Sequence, residues 1–174
     1  MTGPTGQTEP WLRGTHSDVA DVPRAAMHAF EQAGEDVTLW CAELTDAELN
    51  ATPYGLPSIA FQLVHIAGSL DRLLTYAEGR SLDEQQLAAL KSEGGAELPR
   101  EAVFEEFAKT LALSSERVRK LGATAATLQE ARAVGRKNLP STVARLLVHV
   151  AEHTQRHVGQ TITTAKILLA QRDE

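Results

Sequence analysis

Apolar residues recur at helical spacing in four long stretches of this chain. From about Asp18 to Leu44 they fall at Ala26, Met27, Phe30, Ala33, Val37, Trp40, Cys41 and Leu44, one stripe of an amphipathic helix whose first turns tolerate Pro23. A second helix is predicted from Ser58, whose hydroxyl can cap the first free amides, to Glu78, with Gly79 as its stop. Its apolar face carries Ile59, Leu63, Ile66, Leu70, Leu73 and Leu74. A third runs from Pro99 to Leu121 before Gly122, with Val103, Phe104, Phe107, Leu111, Val118 and Leu121 inward. The fourth is expected to start near Pro140 and Ser141 and to bury Val143, Leu147, Val150, Val158, Ile162, Ala165 and Leu169.

Between these stripes the signals are shorter. Thr45 followed by Glu48 predicts a small capped turn, and Thr52 to Pro57 is a connection. Ser81 with Glu84 predicts a capping box for a short extra helix reaching Lys91, ended by the Gly94 and Gly95 pair. Residues 123–138 are too irregular to assign, and no segment carries a convincing strand or hairpin pattern. Four long amphipathic helices without strands make an all-α four-helix bundle the expected architecture, its helix order left open because both later connections are long. Residues 1–15, polar and rich in Gly and Pro around Trp11, are expected as a mobile tail, leaving 16–174 as a single domain.

Composition narrows the function classes. The chain has 174 residues, 43% hydrophobic and 23% charged, as in an ordinary globular protein, and no apolar run approaches the roughly 20 residues that span a bilayer. A net charge of -6 with scattered Lys and Arg argues against a nucleic-acid partner. A membrane partner is likewise not expected. The N-terminus has no basic segment followed by an apolar core, so a cytoplasmic location is the expectation, and the single Cys41 agrees with a reducing compartment.

The chemistry concentrates in Leu146 to Gln160, where His149, His153 and His157 stand four residues apart on one slowly drifting helical stripe. Two imidazoles one turn apart form a bidentate clamp for a transition-metal ion. On the second helix His65 lies beside the apolar face and is the candidate third ligand. Against this stands the plainer alternative, a boundary histidine and a surface pair. The segment from His153 to His157 lacks the Glu of a zincin HExxH, and no Glu-x-x-His exists for a di-iron centre.

Ser58 to Ala67 around His65, the later His149-x3-His153-x3-His157-Val158-Gly159-Gln160 ending and the Leu44 to Asn50 turn together resemble the DinB/YfiT-like superfamily, over roughly residues 20–170. The resemblance implies a helical bundle, often dimeric, with a divalent metal ion held by three histidines placed like His65, His153 and His157. It also implies, for some members, transfer of a low-molecular-weight thiol such as bacillithiol, and for some relatives a mycothiol-dependent isomerisation. The expectation is therefore a metal-dependent enzyme acting on small molecules, with zinc or nickel as the ion. A hydrolase using water at the same ion, and a non-catalytic binding bundle, remain alternatives.

Neighbouring residues extend the candidate site. Arg72, two turns beyond His65, is placed to clamp a carboxylate of substrate or cosubstrate, with an ordinary ion pair as the alternative. Gln62 and Gln160 are candidates to hydrogen-bond a ligand or orient a histidine. His149 is expected at the flank of the centre, and Phe61 and Tyr76 at its walls or in plain core. Glu152 and Asp71 project away from the histidine stripes, which disfavours side-chain base catalysis. Cys41 is expected in the core, and His16 and His28 at the surface.

Overall fold

In a computed structural model the chain is described over residues 8–94 and 97–172. Four long helices dominate it: α1 (Asp21–Cys41), α3 (Ile59–Ala77), α5 (Arg100–Leu121) and α7 (Val143–Gln171). The shorter ones are α2 (Asp46–Asn50), α4 (Glu84–Ser92) and α6 (Ala125–Gln129). Helix α7 packs on α1 and α3, and α5 packs on the same two from the other side. Each long helix thus turns its apolar stripe toward two neighbours, and the stripes meet in one core including Phe30, Val37, Leu63, Ile66, Leu70, Val118, Leu147 and Val158. Burying one such leucine contributes about 1.5–3 kcal/mol, so these stripes outweigh any local propensity in deciding where the helices lie. None of the described helices is long and apolar enough to cross a membrane.

Capping explains most of the helix starts. Thr45 and Glu48 close a reciprocal capping box on α2, and the Ser58 hydroxyl accepts from Phe61 N at the start of α3. Helix α4, the short extra helix of the second long connection, departs from the expected start. Asp83 rather than Ser81 caps it, in a box closed by Gln86 instead of Glu84, so the helix starts later than expected. The same Gln86 amide reaches Asp71 Oδ2 at 2.6 Å and Thr75 Oγ1 at 2.9 Å, which pins the start of α4 onto α3.

Two expectations are corrected between α5 and α7. Residues 123–138, unassigned by pattern, hold α6 and part of an antiparallel hairpin of β1 (Ala131–Val134) and β2 (Leu139–Thr142), whereas no hairpin was expected. Its signal is weak because each strand has four residues, Pro140 sits inside the second, and the turn is longer than the two-residue kind. Both strands are edges, so Pro140 breaks no interior ladder. Helix α7 consequently begins at Val143, just past the expected Pro140 and Ser141, with Thr142 accepting from Arg145 N. The hairpin also caps a helix, since Arg132 Nε donates to the Ala77 carbonyl at the end of α3 at 2.6 Å.

Of the expected tail, residues 1–7 lie outside the described residues, as does Gly95 of the expected break. Residues 8–15 run against α1 through a single turn at Pro10–Leu12, held by Arg13 to both oxygens of Glu35 at 2.5 and 2.7 Å. That covering corrects the expectation for His28. It is 7% exposed rather than a surface residue, with Thr15 Oγ1 at 3.0 Å from its Nε2, because a segment remote in sequence folds over that side of α1. His16 lies beside it with ring centres 5.6 Å apart, half-buried and 2.6 Å from Glu31.

Candidate metal centre

The face of α3 that carries His65 meets the face of α7 that carries His153 and His157. On α3, Ile59, Leu63, Ile66 and Leu70 are buried, which sets the rotation of the helix and leaves His65 at the margin of the packed surface. On α7, Leu147, Val150, Val158 and Ala165 do the same, so the four-residue spacing turns both histidines toward α3. All three imidazoles are half-buried, and one nitrogen from each lies within 4.8 Å of the others. Among the described residues this is where three groups able to hold a metal ion converge. Two bonds of about 2.1 Å to nitrogen span at most about 4.2 Å, so small ring rotations bring the set to an ion.

Hydrogen bonds behind the rings fit that reading. His157 Nδ1 lies 2.6 Å from Gln62 Oε1, and the Gln62 amide donates in turn to Gln160 Oε1 at 3.0 Å. Gln62 is 1% exposed, so its amide has few alternatives to this chain. His65 Nδ1 lies 2.8 Å from Glu93 Oε2. An acceptor at Nδ1 of His65 and of His157 assigns the proton there and leaves Nε2 unprotonated, the arrangement that metal-binding histidines favour. Phe61 stacks on the outer side of His65, with ring centres 5.7 Å apart and 13° between planes, and so forms one wall. Tyr76, by contrast, is half-buried against the core.

The environment favours the neutral form of two of the three imidazoles. Burial first, and then the neighbouring His157, His65, His149 and Arg156 charges, push the His153 imidazole down to about 4. Burial, His65 and Arg156 likewise lower His157 below its ordinary value. A neutral imidazole offers its lone pair to an ion at neutral pH without first losing a proton, so the donor set suits a divalent transition metal.

The remaining candidates fall around this core of three. His149 is exposed, 3.3 Å from Glu152, and its ring stands 5.7 Å from that of His153, at the flank where it was expected. Arg72 is buried on the face of His65, where its guanidinium pairs with Glu93 at 2.5 Å and donates to Ser69. Asp71 is tied to Arg117 at 2.8 Å and to Gln86, and Glu152 to Arg156 at 2.6 Å, so neither is paired with one of the three clustered imidazoles. Cys41 is fully buried and burial pushes its thiol up to about 12, which leaves it inert at neutral pH.

Glu93 is the residue that pattern reasoning did not find. It lies 28 positions after His65 in a connection, with no periodic relation to it. A faint signal was available in Gly68, one turn beyond His65, where a glycine inside an amphipathic helix leaves room for an incoming side chain. Two surface hollows, of about 640 and 670 Å³, lie elsewhere, one between α1 and α5 and the other between the N-terminal segment, α1 and α7. Their walls hold none of the three clustered histidines.

Comparison with known proteins agrees with this geometry. No curated protein and no solved structure matches the chain. Residues 29–161 match the family described as the DinB superfamily, a span that includes His65, His153 and His157 together with all of α3 and α7 as far as Thr161. With most of its length inside that match and a helical fold carrying the three histidines, the chain belongs to the DinB superfamily.

Proposed function

We propose that this protein is a divalent-metal-dependent enzyme that activates a low-molecular-weight thiol, of the bacillithiol or mycothiol kind, for S-transfer to an electrophilic small molecule. The observation that carries the reading is a set of three converging imidazoles to which the described residues add no fourth ligand. Three protein ligands leave a position for an exogenous group, whereas structural sites are usually closed by four. Zinc or nickel suits such nitrogen donors, and when bound supplies the Lewis acidity that lowers the pKa of a thiol or water in its reach.

The protein's own residues supply placement. His65, His153 and His157 would hold the ion, Gln62 orients His157, and Gln160 orients Gln62. Phe61 covers one side of His65 and limits access of water there. The nearby carboxylates are paired with cations or with His65, which leaves none of Asp71, Glu93 and Glu152 free to abstract a proton. A nucleophile brought by the cosubstrate therefore fits better than side-chain base catalysis. We place this activity in the cytoplasm, where a small-thiol pool is available, and expect the chain to work as a homodimer.

The test begins with metal content of the purified protein, followed by turnover of mycothiol or bacillithiol with monochlorobimane, alongside hydrolysis of p-nitrophenyl acetate. Stoichiometric zinc or nickel and thiol conjugation that disappear together in His153→Ala support the proposal. Conjugation that persists without metal overturns it. Ester hydrolysis without conjugation would move the assignment to a hydrolase, and inactivity of the loaded protein toward both would favour a binding bundle.

A further inference from the structure

Glu93 stands just past the end of α4, and both of its carboxylate oxygens are engaged. Oε2 lies 2.8 Å from His65 Nδ1, and Oε1 accepts from Arg72 NH1 at 2.5 Å. The Glu93 and Arg72 side chains are 9% and 10% exposed, so this ion pair is shielded from solvent. A charge pair withdrawn to that extent needs its remaining hydrogen bonds satisfied, and His65 Nδ1 and the Ser69 hydroxyl do so.

The surrounding backbone is shaped to admit the pair. A Cβ on Gly68 would lie 2.5 Å from Glu93 Oε1 and 2.7 Å from Arg72 NH1, so both side chains rest on bare helix backbone. The next residue, Gly94, has φ +86°, and a Cβ there would come within 3.0 Å of the Phe61 ring that stacks on His65. At the other end of α4, Gln86 anchors the helix to Asp71 and Thr75. Helix α4 is thus fastened to α3 at its start, and Glu93 at its end arrives behind His65.

We propose that Glu93 is a positioning residue of the metal centre. Its carboxylate takes the Nδ1 proton of His65 into a hydrogen bond, selects Nε2 as the ligating nitrogen and raises its basicity. Arg72 acts through Glu93, holding the carboxylate in place rather than meeting a substrate. The inference rests on the metal-binding reading of the three histidines and not on thiol chemistry.

Two measurements test it, neither needing turnover. In metal-free protein, ¹H–¹⁵N long-range correlation spectra of the imidazoles should show His65 protonated at Nδ1. In Glu93→Ala the Nε2–H form, preferred by free imidazole side chains, should become populated, whereas Glu93→Gln retains an acceptor oxygen and should largely keep the original tautomer. Zinc affinity, by competition with a chromophoric chelator, should fall about 10–100-fold in Glu93→Ala and less in Glu93→Gln. Should Glu93→Ala fail to fold, Glu93→Gln alone decides: it must bind zinc more weakly than the parent while keeping the Nδ1–H signal.

An unchanged tautomer and unchanged zinc affinity in a folded Glu93 variant would overturn the inference. So would equal loss of affinity in both variants with the tautomer unmoved, which indicates a merely structural tie. Wild-type protein that binds no zinc overturns this inference and the proposed function together. Wild-type protein that binds zinc but conjugates no thiol overturns the thiol-transfer reading alone.

Discussion

The Gln62 side chain joins two helices by meeting His157 across the groove between α3 and α7, its Oε1 2.6 Å from the imidazole Nδ1. The two residues are 95 positions apart, and the contact exists only when both helices are rotated as their apolar stripes require. Replacing Gln62 with Leu keeps the volume and removes the acceptor. Zinc affinity should fall about 10–100-fold with little change in helicity, as measured by chelator competition and circular dichroism. Retention of parental affinity would remove Gln62 from the centre.

Acid should destabilise the metal-free protein in a defined window. In the fold His153 titrates at about 4, below its ordinary 6.5, and His157 is lowered in the same direction. Between those values the unfolded chain binds more protons than the native one, so the stability present above about pH 6.5 is lost as pH falls through about 4. Urea midpoints at a series of pH values should drop across this interval, and the slope should flatten in His153→Gln. An identical slope in that variant would show that other groups control the acid limb.

Close approach of two helix ends gives a stability prediction remote from the centre. Gly122, just past α5, packs against the Pro23 ring in the first turn of α1, where a methyl group would collide with the ring carbons. The backbone of Gly122 is at φ -85°, so the cost of Gly122→Ala comes from crowding and not from strain at that residue. Overpacking of this kind costs about 1–3 kcal/mol, readable as a lower urea midpoint. A midpoint equal to that of the parent would mean that Pro23 moves aside freely.

The hairpin contributes through Arg132. Its Nε donates to the Ala77 carbonyl and its NH2 to Glu130, so Arg132→Ala removes a charged cap from the C-terminus of α3. The expected loss is about 1–2 kcal/mol. Hydrogen exchange should locate it in the last turn of α3, and global destabilisation without a local signature there would contradict the capping role.

Periodicity and capping are encoded within a few residues, which is why the sequence alone placed the four long helices, the Thr45 and Ser58 caps, the burial of Cys41 and three candidate metal ligands near their observed positions. The same local logic failed for the α4 cap, where two boxes compete within three residues, and for the hairpin, whose strands are short and interrupted by Pro140. Only tertiary packing decided that Glu93 stands behind His65, that Gln62 serves His157 and that His28 is covered. Each of those depends on segments 13 to 95 residues apart being brought to hydrogen-bond distance. Helical spacing reports which side of one element a residue occupies. Which side chain arrives opposite it is settled by how the apolar stripes of different elements fit together.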